Sequence, residues 1–146
     1  MRANLGLLLI ALIVGISVIL PMAQAHPVWT GKVTWVIDGD TLIIGGKTVR
    51  LALTDAYEIT GKGDSYDIKA KAAKSYVISV CYGKTATVHV DSKQPTDSFG
   101  RTIAEINCPY SFLNFQILNK CYVTVDTRYC SISEFANEWW ATKFGC

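Results

Sequence analysis

The chain of 146 residues is 50% hydrophobic, 18% charged and 11% aromatic, with a formal net charge of +2. That length suits one compact domain. The near-neutral balance excludes a polybasic protein that grips nucleic acid by neutralising many phosphates, but not an enzyme that holds a single phosphate with two well-placed arginines.

Leu5–Leu20 is an unbroken run of Leu, Ile, Val, Ala, Gly and Ser behind one positive charge at Arg2. Ala23-Gln24-Ala25 follows with the small-x-small pattern of a secretory cleavage site. Residues 1–25 therefore read as a signal peptide, leaving a domain over 26–146 whose net charge falls from +2 to +1 with the loss of Arg2. The alternative is an uncleaved N-terminal anchor, although the apolar run is shorter than the ~20 residues a bilayer-spanning helix needs. The first reading makes the protein secreted and the second holds it at the cell surface. Both place it outside the cytoplasm, and only the anchor implies a membrane partner.

Beyond the leader, Val33–Ile37 is β-branched and aromatic, and Asp38-Gly39-Asp40 interrupts it. Thr41–Ile44 resumes the pattern, Gly45-Gly46 is a two-residue hairpin turn, and Thr48–Leu53 returns. These are three antiparallel strands. Ile59–Asp64 reads as a glycine-containing loop. Ile68, Ala72, Tyr76 and Val80 recur at helical spacing, which predicts an amphipathic helix ending near Cys81. Thr85–Val90 alternates as a fourth strand, Asp91–Gly100 is a polar loop and Arg101–Asn107 is a fifth strand. Ser111–Lys120 reads as a second helix. Ser131–Glu134 has capping-box spacing ahead of a third over Phe135–Phe144, closed by Gly145. Five short strands in that order suit a closed barrel of OB type with about three helices packed on it.

The five cysteines show no metal-ligand spacing, so an exported domain of this size is expected to use them in disulfides. The preferred pairing is Cys130–Cys146, pinning the final helix, and Cys81–Cys108, tying the first helix to a strand end. Cys121 would be left free and buried. The competing reading keeps all five reduced in the core.

The polar residues that interrupt apolar segments carry the chemistry. Asp38 and Asp40 flank Gly39 at a strand junction, Arg50 lies inside the third strand, Asp55 and Glu58 follow its end, and Arg101 opens the fifth strand. Singly, each has a plain structural explanation as turn, cap or ion pair. Together they suit phosphodiester hydrolysis. Carboxylate and carbonyl oxygens at Asp40, Asp55 and Ala56 match a hard cation such as Ca²⁺. Two guanidinium forks can neutralise the charge that builds on phosphorus oxygens, and Glu58 can orient or deprotonate the attacking water.

Three blocks carry a resemblance. Val36-Ile37-Asp38-Gly39-Asp40-Thr41-Leu42, Val49–Glu58 and Thr96-Asp97-Ser98-Phe99-Gly100-Arg101 resemble, in order and spacing, the signature blocks of staphylococcal nuclease-like (thermonuclease) proteins. The resemblance implies a five-stranded OB-fold barrel with three helices. It also implies a Ca²⁺-dependent, sugar-nonspecific endonuclease that hydrolyses DNA and RNA to leave 3′-phosphates, acting as a monomer. By motif match, Asp40, Asp55 and the Ala56 carbonyl would ligate Ca²⁺, and Asp38 would support them. Glu58 would be the general base, and Arg50 and Arg101 would bind the scissile phosphate. The chain departs from the pattern at Tyr57, where proline is usual, and at Ala56, which replaces a common threonine. It also departs at Phe99, in place of tyrosine, and at Cys121, at what looks like a glycine position. Asp126–Ser131 diverges from the family, leaving Tyr129 as the candidate for stacking on a base. A non-catalytic OB-fold module that binds nucleic acid or another ligand is the alternative function.

Overall fold

The computed structural model describes residues 27–146, so the leader and the question of its cleavage lie outside the described residues. The chain runs β1 (Val28–Val36), β2 (Thr41–Ile44), β3 (Lys47–Leu51), β4 (Thr54–Ala56), α1 (Ser65–Cys81), β5 (Thr85–Val90) and β6 (Thr102–Cys108). It continues with β7 (Ser111–Phe112), α2 (Leu113–Asn119), β8 (Val123–Val125), two short 3₁₀ turns and α3 (Trp139–Phe144). Strands pair in the order β3-β2-β1-β5-β6, and a parallel pairing of β3 with β6 joins the two ends into a closed five-stranded barrel. With three α-helices against it, the architecture is an OB-fold-like α+β barrel, as the strand pattern predicts.

Local chemistry explains the tight connections. Gly45 and Gly46 adopt φ of 55° and 79°, the left-handed pair that a two-residue hairpin needs between Ile44 and its partner Lys47. Strand β3 ends at Leu51 rather than Leu53, because Ala52 and Leu53 form a turn with Leu53 at φ 57°. Buried Asn114 secures that turn: its Nδ2 donates to the carbonyls of Ala52 (3.1 Å) and Ala104 (3.3 Å), while its Oδ1 accepts from Ile106 N–H (2.9 Å). The chain then leaves the barrel as β4, which pairs with β8 in a separate two-stranded sheet.

Helix α1 presents a different face from the one its large apolar residues suggest. Ala70, Ala73, Val77 and Cys81 are buried, whereas Ile68 is 62% exposed. Small side chains win because the helix approaches the barrel closely where the Asp38–Asp40 turn passes beneath it. A Cβ on Gly39 would lie 2.6 Å from Cβ of Ala73, closer than carbon atoms tolerate. Gly39→Ala should therefore cost about 1–3 kcal/mol through overpacking, read as a lowered denaturant midpoint. An unchanged midpoint would show that the helix can retreat freely.

The C-terminal segment also departs from expectation. Ser133, not Ser131, is the capping residue, and it opens a 3₁₀ turn over Glu134–Asn137 rather than a continuous helix. The competing partner is buried Asp91, which accepts from Ser133 Oγ at 2.5 Å and from Glu134 N–H at 3.3 Å. The Glu134 carboxylate accepts from Ser92 N–H and Oγ instead of returning to its own turn. The chain is extended at Glu138 before α3 begins at Trp139. Trp140 then fills the core, its indole N–H donating to Glu105 at 2.7 Å.

Cys81–Cys108 and Cys130–Cys146 are both bonded, consistent with an oxidising, extracytoplasmic compartment. Cys121 is free, but exposed rather than buried. It sits at φ 57° just past α2, the left-handed position that normally favours glycine, and this turns its side chain away from the core.

Candidate active site

Barrel closure brings the charged residues together. Thr41 of β2 pairs with Arg50 of β3, and the parallel seam sets Val49 beside Thr102, one residue after Arg101. The β3–β4 turn carries Asp55, Ala56 and Glu58 to the same end. Asp38, Asp40, Arg50, Asp55, Ala56, Tyr57, Glu58, Arg101 and Arg128 consequently line a single polar cleft of about 130 Å³. All seven residues expected to act on metal or phosphate lie in it.

Asp38 organises the turn, its Oδ1 accepting the Asp40 N–H at 2.9 Å. Asp40 is buried. Its Oδ1 accepts from Thr41 Oγ1 at 2.8 Å and its Oδ2 from Ala56 N–H at 3.0 Å, so one carboxylate joins the β1–β2 junction to the end of β4. Burial, reinforced by the neighbouring charge of Asp38 and opposed by Arg50, pushes the Asp40 carboxyl up to about 6.

Arg50 has a side chain only 14% exposed. Its Nη2 donates to Thr54 O at 3.0 Å and lies 3.4, 3.6 and 3.7 Å from carboxylate oxygens of Asp55, Asp40 and Asp126. These contacts all use one terminal nitrogen, which fixes the guanidinium and leaves Nε and Nη1 without a protein acceptor among the described residues. Arg101 is fixed in a comparable way: its Nε donates to Asp97 Oδ2 at 2.6 Å and its Nη1 to Thr41 Oγ1 at 3.4 Å. Burial alone would raise Asp97, but hydrogen bonds from the Arg101 backbone and side chain and from Phe99 N–H outweigh it and hold the carboxyl below its ordinary value. Glu58 stands exposed at the rim, and among the described residues it makes no hydrogen bond or ion pair.

Sequence reasoning missed Asp126 and Arg128. Asp126 is buried, and Arg128 grips it as a two-point fork, Nε to Oδ1 and Nη2 to Oδ2, both at 2.8 Å. Those bonds hold Asp126 below the usual carboxylate range and Arg128 above its own. The available signal was an Asp-x-Arg pair directly after an apolar strand, the same kind of interruption that marks Arg50. Tyr129 lies outside the cleft. It is half-buried against the core and lines a narrow crevice beside Arg50, Asp97 and Asp126.

The carboxylates of Asp38, Asp40, Asp55 and Glu58 that line the cleft are oxygen donors of the kind a hard divalent cation takes. Among the described residues no three His, Cys, Asp or Glu side chains converge to hold a metal alone. A cation here would rest on Asp40 and Asp55, with the Ala56 carbonyl and water completing its shell. The sequence matches no protein-family model and no curated protein.

Proposed function

We propose that the protein is a Ca²⁺-dependent, sugar-nonspecific endonuclease that hydrolyses phosphodiester bonds of DNA and RNA to leave 3′-phosphates. The observation that carries this reading is one cleft lined by two guanidiniums held on protein oxygens, by Asp40 and Asp55, and by an exposed, unengaged glutamate. The three sequence blocks that resemble the thermonuclease family support it. Arg50 and Arg101 would seat the scissile phosphate with the N–H groups that their protein partners leave over and stabilise the charge that develops on its oxygens. Glu58 would accept a proton from the attacking water, a role open to a carboxylate that no neighbour occupies. Asp40, Asp55 and the Ala56 carbonyl would hold Ca²⁺, which when bound polarises the phosphate. Asp38 would keep Asp40 in place.

The test is digestion of single-stranded DNA with millimolar Ca²⁺ and with EGTA. Glu58→Gln is expected to keep Ca²⁺ binding and lose cleavage. Ca²⁺-dependent cutting by the native protein alone supports the assignment, whereas unchanged cutting by the variant removes Glu58 from it.

The Asp40 carboxyl gives the reading a pH signature. Its folded value is raised, so in cation-free protein its contribution to stability is full below the ordinary 3.8 and is lost as pH rises through about 6. A bound cation requires the charged form. Ca²⁺ affinity, measured by calorimetric titration, should thus fall as pH drops below about 6, and an affinity flat across that range would take Asp40 out of the ligand set. A second reading, a non-catalytic nucleic-acid-binding module, draws on the engagement of both Asp40 oxygens by Thr41 and Ala56. It predicts oligonucleotide binding without Ca²⁺-dependent cutting.

A further inference from the structure

Tyr57 sits between Ala56 and Glu58 in the chain and lines a second depression as well as the cleft. That groove, about 320 Å³, is lined by Tyr57 with Lys69, Leu118, Cys121, Val123 and Phe144, among others. Its size falls within the roughly 300–1,000 Å³ of ordinary ligand clefts. Tyr66, in the first turn of α1, places its ring centroid 5.2 Å from that of Tyr57 at an interplanar angle of 41°, and it is 59% exposed. Neither tyrosine belongs to the hydrophobic core or packs against it, so core packing does not explain the pair. Lys69, one turn along α1, holds its ammonium 5.2 Å from the Tyr57 centroid.

One exposed ring, a half-buried partner ring and one ammonium, beside the cleft that Tyr57 also lines, make the combination that binds single-stranded nucleic acid. The rings stack on bases and the cation follows the backbone. We propose that Tyr57, Tyr66 and Lys69 form a stacking subsite for an unpaired nucleobase adjoining the phosphate held by Arg50 and Arg101. The inference rests on the nuclease reading and adds a substrate class to it. A paired base has both faces covered by its neighbours, so the subsite selects single strands. It tolerates any base, because every base presents a π-face.

The experiment walks a single abasic residue along a short oligodeoxythymidine and measures binding by fluorescence anisotropy in EGTA, where nothing is cut. Cleavage of the same oligonucleotide is then followed with Ca²⁺. Stacking worth about 1–3 kcal/mol per base should make the lesion at one position weaken wild-type binding by roughly five- to 150-fold. The same lesion should cost Tyr57→Leu/Tyr66→Leu almost nothing, while Tyr57→Phe/Tyr66→Phe, which keeps the rings, should behave as wild type. A melting temperature held in the leucine variant confirms its fold. Wild-type protein that binds no oligonucleotide or is indifferent to the lesion at every position, or a leucine variant that keeps the full penalty, overturns the subsite. A penalty that depends on the tyrosines, found without any Ca²⁺-dependent cutting, upholds the subsite and overturns hydrolysis, so the two failures are distinguishable.

Discussion

Arg50→Lys is expected to lower cleavage of single-stranded DNA by on the order of 10²–10³-fold, the usual loss when a preorganised donor to a developing oxyanion is removed, while the melting temperature moves little. Lysine keeps a positive charge near Asp40, Asp55 and Asp126, whose oxygens lie 3.4–3.7 Å from one Arg50 nitrogen. The electrostatic balance of the cleft is therefore preserved. What disappears is the planar guanidinium, in which Nη2 is anchored on protein oxygens while Nε and Nη1 keep N–H groups for a ligand, and a compact ammonium cannot divide itself in that way. Arg50→Ala is the less informative change, because it takes the neighbouring cation from buried Asp40 and confuses stability with catalysis. Steady-state cleavage beside a thermal melt checks the prediction, and near-native turnover in the lysine variant would overturn the role given to Arg50.

Reduction of the disulfides should lower the melting temperature by roughly 20 °C or more. Cys81–Cys108 and Cys130–Cys146 close separate loops with sequence separations of 27 and 16. On the chain-entropy account those loops correspond to about 3.5 and 3 kcal/mol. Domains of this size hold only about 5–15 kcal/mol in total, and each kcal/mol moves the transition by about 4 °C. The bridges also guard different parts of the molecule. Cys81–Cys108 ties the buried end of α1 to the last residue of β6, and Cys130–Cys146 holds the C-terminal segment whose Ser133 and Glu134 brace the Asp91 loop. Melts with and without reductant, and of Cys81→Ala/Cys108→Ala and Cys130→Ala/Cys146→Ala separately, test this. A transition unmoved by reductant would show that neither bridge constrains the unfolded chain.

Local chemistry made the hairpins readable. Gly45-Gly46 can make little but a tight turn, and Asp38-Gly39-Asp40 breaks a β-branched run. The site was readable for a related reason: Arg50 in an apolar strand and Asp55 at its end have no place in a core, so they stand out. Features decided by distant partners were not readable. Nothing near Ser133 says that Asp91, some forty residues away, will take its hydroxyl and Glu134's N–H and shorten the third helix. The buried face of α1 misled because close approach to Gly39 rewards Ala70 and Ala73 above the larger Ile68. Arg128 escaped because its value lies in facing the cleft while gripping Asp126, and that depends on the pairing of β4 with β8.

The parallel join of β3 to β6 has a consequence in time as well as in space. Every other barrel pairing is antiparallel, and β1–β2 and β2–β3 link strands adjacent in sequence. The join links segments with the whole of α1 and β5 between them. Pairings of such separation, the antiparallel pairing of β1 with β5 among them, carry a larger loop-closure entropy than the hairpins and are slow to form. A chain that has completed its hairpins but not this join possesses both Arg50 and Arg101 and holds them apart. Refolding should accordingly restore the hairpins before it assembles the cleft, whose two arginines meet only once the long-range pairings are made.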